Sequence, residues 1–209
     1  NGVKVTPVDA VTGFPECLDG RVKTLHPLIH GGILGDRTNE EHVREMKELG
    51  IAGIDVVAVS LYPFKEVYMK DGTSHEEMIE NIDIGGPTMI RSAAKNYKNV
   101  MIVTDPSDYD MVAASFENNV PLTEDEKMML ALKAFEMTSS YDALITKYMI
   151  EKLGTDKYRN KVTVGYEKVQ NLRYGENPHQ NAAVYREIGM KKGPFAIDAV
   201  QLHGKELSF

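Results

Sequence analysis

The sequence predicts an α/β protein whose first and larger domain is built on a parallel sheet, and three stretches carry that prediction. GIDVVAVSLYPF (residues 53–64) holds a continuous β-branched and apolar run closed by Pro63, as a strand buried on both faces should. NVMIVTDP (residues 99–106) repeats the design. Between them SHEEMIENIDIGGPTMIRSAAKNY (residues 74–97) offers helical stretches broken by Gly85, Gly86 and Pro87, so strand, helix and strand alternate.

The flanking elements extend the alternation. VKVTPV (residues 3–8) reads as a further apolar run before the acidic, helix-like NEEHVREMKELG (residues 39–50), which ends at Gly50. The stretch 72–75 reads as a loop and cap. A long helix is predicted over residues 123–153, opened by the capping pattern Thr123, Glu124, Asp125, Glu126, with a Met and Leu stripe that faces a core. After Gly154 the texture changes to short strand-like pieces, KVTVGYEKV (residues 161–169) and AAVYRE (residues 182–187), which mark a second unit from about residue 165. Lacking an initiator Met and stopping inside an unpunctuated stretch at Phe209, the chain reads as a fragment.

Composition narrows the function. The 209 residues carry 24 Lys and Arg against 31 Asp and Glu, a formal net charge of −7, which argues against a general nucleic-acid or membrane surface. Anionic partners must then be met by a few local cations. Cys17 is the only cysteine, so neither an intrachain disulfide nor a cysteine-rich metal site can form, and a reducing compartment such as the cytoplasm fits. No apolar run approaches the roughly 18 residues of a membrane span, and no signal-peptide pattern is present. His26 and His30 have a spacing that binds zinc on a helix, but Pro27 and Gly31 argue against a shared helical face and no third ligand accompanies them, so no metal is expected.

Open parallel sheets bind ligands beyond the C-terminal ends of their strands. Tyr62 stands at such an end, where it either hydrogen-bonds a ligand or serves as a half-buried structural phenol. In IDIGGPT, Asp83 precedes Gly85 and Gly86, and paired glycines let backbone amides approach a ligand. Pro87 is placed to open a helix, with Lys95 two turns along; taken alone, Lys95 reads as a surface cation. LDGRVKTLHP (residues 18–27) sets Arg21, Lys23, Thr24 and His26 in a turn-like stretch that is either solvated or shaped around an anion.

LDGRVKTLHP, SLYPF, IDIGGPTMIRSAAKN and LRYGENPHQ occur in one chain in this order, and with them the sequence closely resembles the bifunctional purine-biosynthesis family that joins IMP cyclohydrolase to AICAR transformylase. The strong resemblance runs over residues 8–105 and 172–209. It implies a methylglyoxal-synthase-like α/β cyclohydrolase domain over residues 1–165, with its first strand and most phosphate contacts upstream of Asn1, and the start of an α+β, cytidine-deaminase-like transformylase domain over residues 166–209. It implies closure of FAICAR to IMP with loss of water, using no metal or organic cofactor, with 10-formyltetrahydrofolate as co-substrate of the transformylase, in a cytoplasmic homodimer.

By the resemblance, Lys23, Tyr62, Asp83 and Lys95 fall on catalytic positions. Lys95 becomes the main proton-transfer group, Asp83 sets its charge and holds the amide, and Lys23 and Tyr62 stabilise the oxyanion. Arg21, Val22, Lys23, Thr24, Val59, Ser60, Asp83, Ile84, Gly85 and Gly86 become contacts to the first nucleotide, and Arg173 and Tyr174 contacts to AICAR. Ser60 departs from the Asn common in the family, which shortens the reach of that group. Two other readings stand beside this one: a non-catalytic regulatory domain of the same fold that binds a phosphorylated metabolite, and a purely structural fragment.

Overall fold

The computed structural model describes residues 2–154 and 158–208 and divides into two compact units. The first comprises the chain up to Tyr62 together with Glu80–Thr138; the second comprises Pro63–Ile79 and the residues from Ser139 onward.

In the first unit, β1 (Val56–Ala58) and β2 (Met101–Val103) pair in parallel, with Val57 opposite Ile102. Both strands are shorter than the apolar runs that encode them. Pairing continues one step past β1, where the Val59 amide donates to the Val103 carbonyl at 3.1 Å. Among the described residues, five α-helices belong wholly to this unit: α1 (Val8–Thr12), α2 (Pro27–Leu34), α3 (Glu40–Glu48), α6 (Gly85–Lys95) and α7 (Tyr109–Glu117). Ile29 and Ile33 of α2, Val57, Ile102 and Val103 of the strands, and Ile90, Ala93 and Ala94 of α6 form one buried cluster. Leu130, Ala131 and Ala134 join it from α8 (Glu124–Leu153), whose two halves fall in different units. The Met and Leu stripe of α8 is therefore core only in part, since Met128, Met129 and Leu132 remain about half exposed.

The alternation of strand and helix follows from the apolar runs, and the cap chemistry fixes the boundaries. Asn39 accepts from the Glu41 amide at 2.9 Å to start α3. Thr123 and Glu126 form a reciprocal capping box ahead of α8: the Glu126 amide donates to Thr123 Oγ1, and the Thr123 amide donates to Glu126 Oε2. The Asn96 side chain donates to the carbonyls of Ile33 and Gly35 at 2.7 and 3.0 Å, tying the end of α6 to the end of α2.

Two sequence expectations are corrected, and one helix was not foreseen. VKVTPV forms no strand: Val3 and Val5 are 78% and 80% exposed, no described segment pairs with them, and Pro7 instead precedes α1. Gly85, Gly86 and Pro87 do not break a helix but form the first turn of α6, where the unbonded amides make Pro harmless. Residues 27–34 are helical despite Pro27 and Gly31, with His26 as the N-cap: its Nδ1 accepts from the Leu28 amide at 3.2 Å.

In the second unit, α4 (Phe64–Met69) follows Pro63, and α5 (His75–Glu80) begins where Ser74 Oγ accepts from the Glu77 amide at 3.0 Å. Phe64 is fully buried, edge-on to Tyr141 and Tyr148 of α8 with ring centroids 5.9 and 6.0 Å apart. β3 (Tyr166–Leu172) and β4 (Ala182–Glu187) pair antiparallel with an irregularity between Lys168 and Gln170. β3 starts later than the apolar run from residue 161 suggests, because only from Tyr166 does the chain have a partner strand.

Two substitutions separate core burial from capping. Ile102→Ala should cost about 2–5 kcal/mol through the cavity left among buried neighbours, whereas Thr123→Ala should cost about 1 kcal/mol. Urea unfolding curves of the two variants measure the difference.

Candidate active site

Three segments meet beyond the C-terminal end of β1. The first is a tight hairpin in which Cys17 and Val22 form an isolated antiparallel bridge. Leu18, Asp19 and Gly20 all have positive φ, at 54°, 54° and 85°, a conformation that is costly for Leu and Asp and held here by the Gly20 amide donating to the Cys17 carbonyl and the Arg21 amide to the Leu18 carbonyl. The turn throws Arg21 and Lys23 outward while Val22 and Thr24 stay half-buried.

The second segment is the continuation of β1 through half-buried Val59, exposed Ser60 and Tyr62, which is 55% exposed. The phenol is thus about half open to solvent. The third is the entry into α6. Asp83 Oδ1 accepts from the Gly86 amide at 3.0 Å, so the carboxylate answers one of the open donors of the first turn. The glycines permit contact with the other segments: a methyl on Gly85 would stand 3.0 Å from Thr24 Oγ1, and one on Gly86 would overlap Asp83 Oδ2 and stand 3.1 Å from Leu61 Cδ2. Ile84, between them and Asp83, is 58% exposed. The positive end of the α6 dipole and its open amides thus face the ground between hairpin and strand end, the arrangement that suits an anion.

Both cations of the hairpin are met by carboxylates. Arg21 pairs with Glu80, and Lys23 Nζ lies 3.0 Å from Glu16 Oε2. The hydrogen bond from Lys23 to Glu16, and then the Glu16 charge, raise the Lys23 pKa above that of an ordinary lysine, with smaller contributions from Asp9 and Tyr62. The ammonium is therefore the resting form. Sequence reasoning missed Glu16 and Glu80. Glu16 had a local signal in its place just outside the turn; Glu80 had none, being 59 positions from Arg21.

Lys95 is placed differently. It is an exposed residue in the last turn of α6. Ten helical residues after Gly85 correspond to about 15 Å of axial rise between the two backbones. His30 Nδ1 lies 3.2 Å from Ser92 Oγ and its Nε2 is buried without a partner; burial lowers its pKa, so the ring is neutral and structural.

In the second unit, Arg173 and Tyr174 directly follow β3. The guanidinium lies 5.2 Å over the Tyr174 ring, its Nε donates to the Glu206 carbonyl at 2.6 Å, and the Arg173 amide donates to the Leu207 carbonyl at 3.0 Å. Stacking and backbone ties pre-set an exposed guanidinium.

The comparison with known proteins is decisive for the family. Residues 1–88 match the MGS-like domain and residues 93–209 match the family described as AICARFT/IMPCHase bienzyme. The chain belongs to the AICARFT/IMPCHase bienzyme family. Among its relatives are proteins described as bifunctional purine biosynthesis protein PurH from Oceanobacillus iheyensis, 56% identical, and Acetivibrio thermocellus, 54% identical, each over 208 residues. The PurH of Bacillus mycoides is 55% identical over 214 residues. The match covers the whole of this chain, which spans 40% of the length of each of these relatives. A solved structure titled "Crystal structure of ForH" superposes with a TM-score of 0.60 at 37% identity, covering 69% of this chain and 74% of that one. In this AICARFT/IMPCHase chain no described helix is long and apolar enough to cross a membrane.

The contact at Gly86 predicts that Gly86→Ala, by driving a methyl into the Asp83 carboxylate, lowers stability by about 1–3 kcal/mol and shifts the Asp83 resonances more than Gly72→Ala does, as carboxyl NMR would show.

Proposed function

We propose that the full-length protein closes FAICAR to IMP and, in its second part, transfers a formyl group from 10-formyltetrahydrofolate to AICAR, with residues 1–165 serving the cyclohydrolase and residues 166–209 opening the transformylase. The observation that carries the first half is the convergence of the hairpin, the end of β1 and the start of α6 in a chain of this family. The regulatory reading has no comparable support, because anion binding alone gives no use for Tyr62 and Asp83 beside Lys23.

Ring closure joins the carboxamide nitrogen to the formyl carbon. The formyl oxygen takes up the electron pair of the broken carbonyl π bond, and after gaining two protons, ultimately one from the carboxamide nitrogen and one from the formamido nitrogen, it leaves as water. An amide is a weak nucleophile, so the site must orient the two groups, stabilise the oxyanion and relay protons. Lys23, held as a cation, and the Tyr62 phenol are the oxyanion partners. Asp83, fixed on the α6 amide, holds the carboxamide. Arg21, Val22, Thr24, Val59, Ser60, Ile84, Gly85 and Gly86 form the rest of the nucleotide site. The resemblance gives Lys95 the main proton transfer, with Asp83 setting its charge. Arg173 forks onto the AICAR phosphate beside Tyr174 in a second, separate nucleotide site. The protein works in the cytoplasm as a homodimer.

In the full-length protein, Lys23→Ala and Lys95→Ala should each lower ring closure by roughly 10² to 10⁴, the contribution of a positioned acid, base or charge, and leave formyl transfer largely intact. Unchanged ring closure in Lys95→Ala would confine the chemistry to the three residues around the start of α6. Arg173→Ala should do the converse, weakening AICAR binding about tenfold to hundredfold as the loss of a hydrogen bond to a charged group does, with ring closure spared. Steady-state rates on the two substrates, taken separately, test both; parallel loss in both reactions would indicate a folding defect and end the division into two sites.

A further inference from the structure

We propose that Glu16 is a positioning residue for Lys23: set across the hairpin, its carboxylate fixes the ammonium beside Tyr62, where the reacting oxygen of the substrate is held. The inference rests on the ring-closure reading above and concerns a residue outside the expected site.

The Cys17 and Val22 amides and carbonyls exchange hydrogen bonds at 3.4 and 3.5 Å, so the next opposed pair outward is Glu16 and Lys23. Opposed residues of an antiparallel pair have neighbouring Cβ atoms, and this one closes as an ion pair at 3.0 Å. The other carboxylate oxygen is also placed. Glu16 Oε1 stands 2.7 Å from where a methyl on Gly20 would lie, over a turn residue with φ of 85°. A side chain at position 20 would therefore push the carboxylate off the turn. Glu16 thus has one oxygen over the turn and the other on Lys23, which draws the flexible Lys23 stem toward the hairpin.

Glu16 and Lys23 share the wall of a cleft of about 360 Å³ with Asp9 of α1 and Phe14. The charged and titratable groups that act on Lys23 are Glu16, then Asp9 and, least, Tyr62. Two carboxylates hold the ammonium protonated, and the phenol is the group it shares with the reacting centre. Lys23 so placed donates hydrogen bonds to a developing oxyanion and does not act as the base. Glu16 touches no reacting atom; it acts through Lys23.

The test uses the full-length protein and ring-closure rates across pH for Glu16→Gln, Glu16→Asp, Lys23→Arg, Lys23→Ala and the Glu16→Gln, Lys23→Arg pair. Glu16→Gln keeps shape and removes charge, so kcat should fall about three- to fivefold, the upper range for an exposed ion pair, with KM little changed. The alkaline limb should move to lower pH, because loss of the carboxylate lowers the Lys23 pKa. Glu16→Asp should restore the limb toward its original position. In the Lys23→Arg background, whose charge does not titrate, Glu16→Gln should leave the limb unmoved. An alkaline limb in Glu16→Gln identical to that of the unaltered protein, or an equal shift with Arg at position 23, would overturn the proposal and leave Glu16 a hairpin residue. Lys23→Ala separates the two failures: full loss of turnover with an inert Glu16→Gln sinks only this inference, whereas unimpaired turnover in Lys23→Ala sinks the site reading as well.

Discussion

The first unit depends on how closely neighbouring side chains can approach the backbone at the start of α6. Asp83, Gly85 and Gly86 occupy a place where Thr24, Leu61 and a carboxylate crowd within van der Waals distance. Any side chain at Gly86 would displace Asp83, and the amide it caps would lose its partner. Because α6 also supplies Ile90, Ala93 and Ala94 to the buried cluster with β1 and β2, the same helix holds the core at its middle and the candidate site at its first turn. Function and folding are coupled there by geometry: the core fixes the helix axis, and the axis fixes where the open amides point.

Charge is arranged on this frame with local economy. A chain of net charge −7 presents Arg21 and Lys23 together on one hairpin and pairs each with a glutamate, so neither cation is bare. Any anion approaching these two cations would compete for them with Glu16 and Glu80. Ion pairs this exposed are weak and adjustable.

Elements whose reasons are local were readable from the residues. The capping box at Thr123 and Glu126, the Asn39 cap of α3 and the Ser74 cap of α5 each depend on side chains within three positions of the amides they satisfy. The two strands were also legible, although only three residues of each pair in a ladder. VKVTPV shows the limit: β-branched residues favour a strand only where a neighbour supplies hydrogen bonds, and none of the described residues pairs with Val3 or Val5. The first turn of α6 shows another. Two glycines and a proline usually punctuate a helix, yet in its first turn the backbone bonds they weaken do not exist.

By itself the sequence determined the α/β class, the family and the chemical types at the site, because these follow from apolar runs and from motifs within which every residue lies near its neighbours. Tertiary structure alone decided which carboxylates face Arg21 and Lys23, and that Thr24 meets Gly85 across 61 positions of sequence. Those facts depend on how separate segments are brought together, and no local pattern encodes the distance between two segments that touch only after the core has closed.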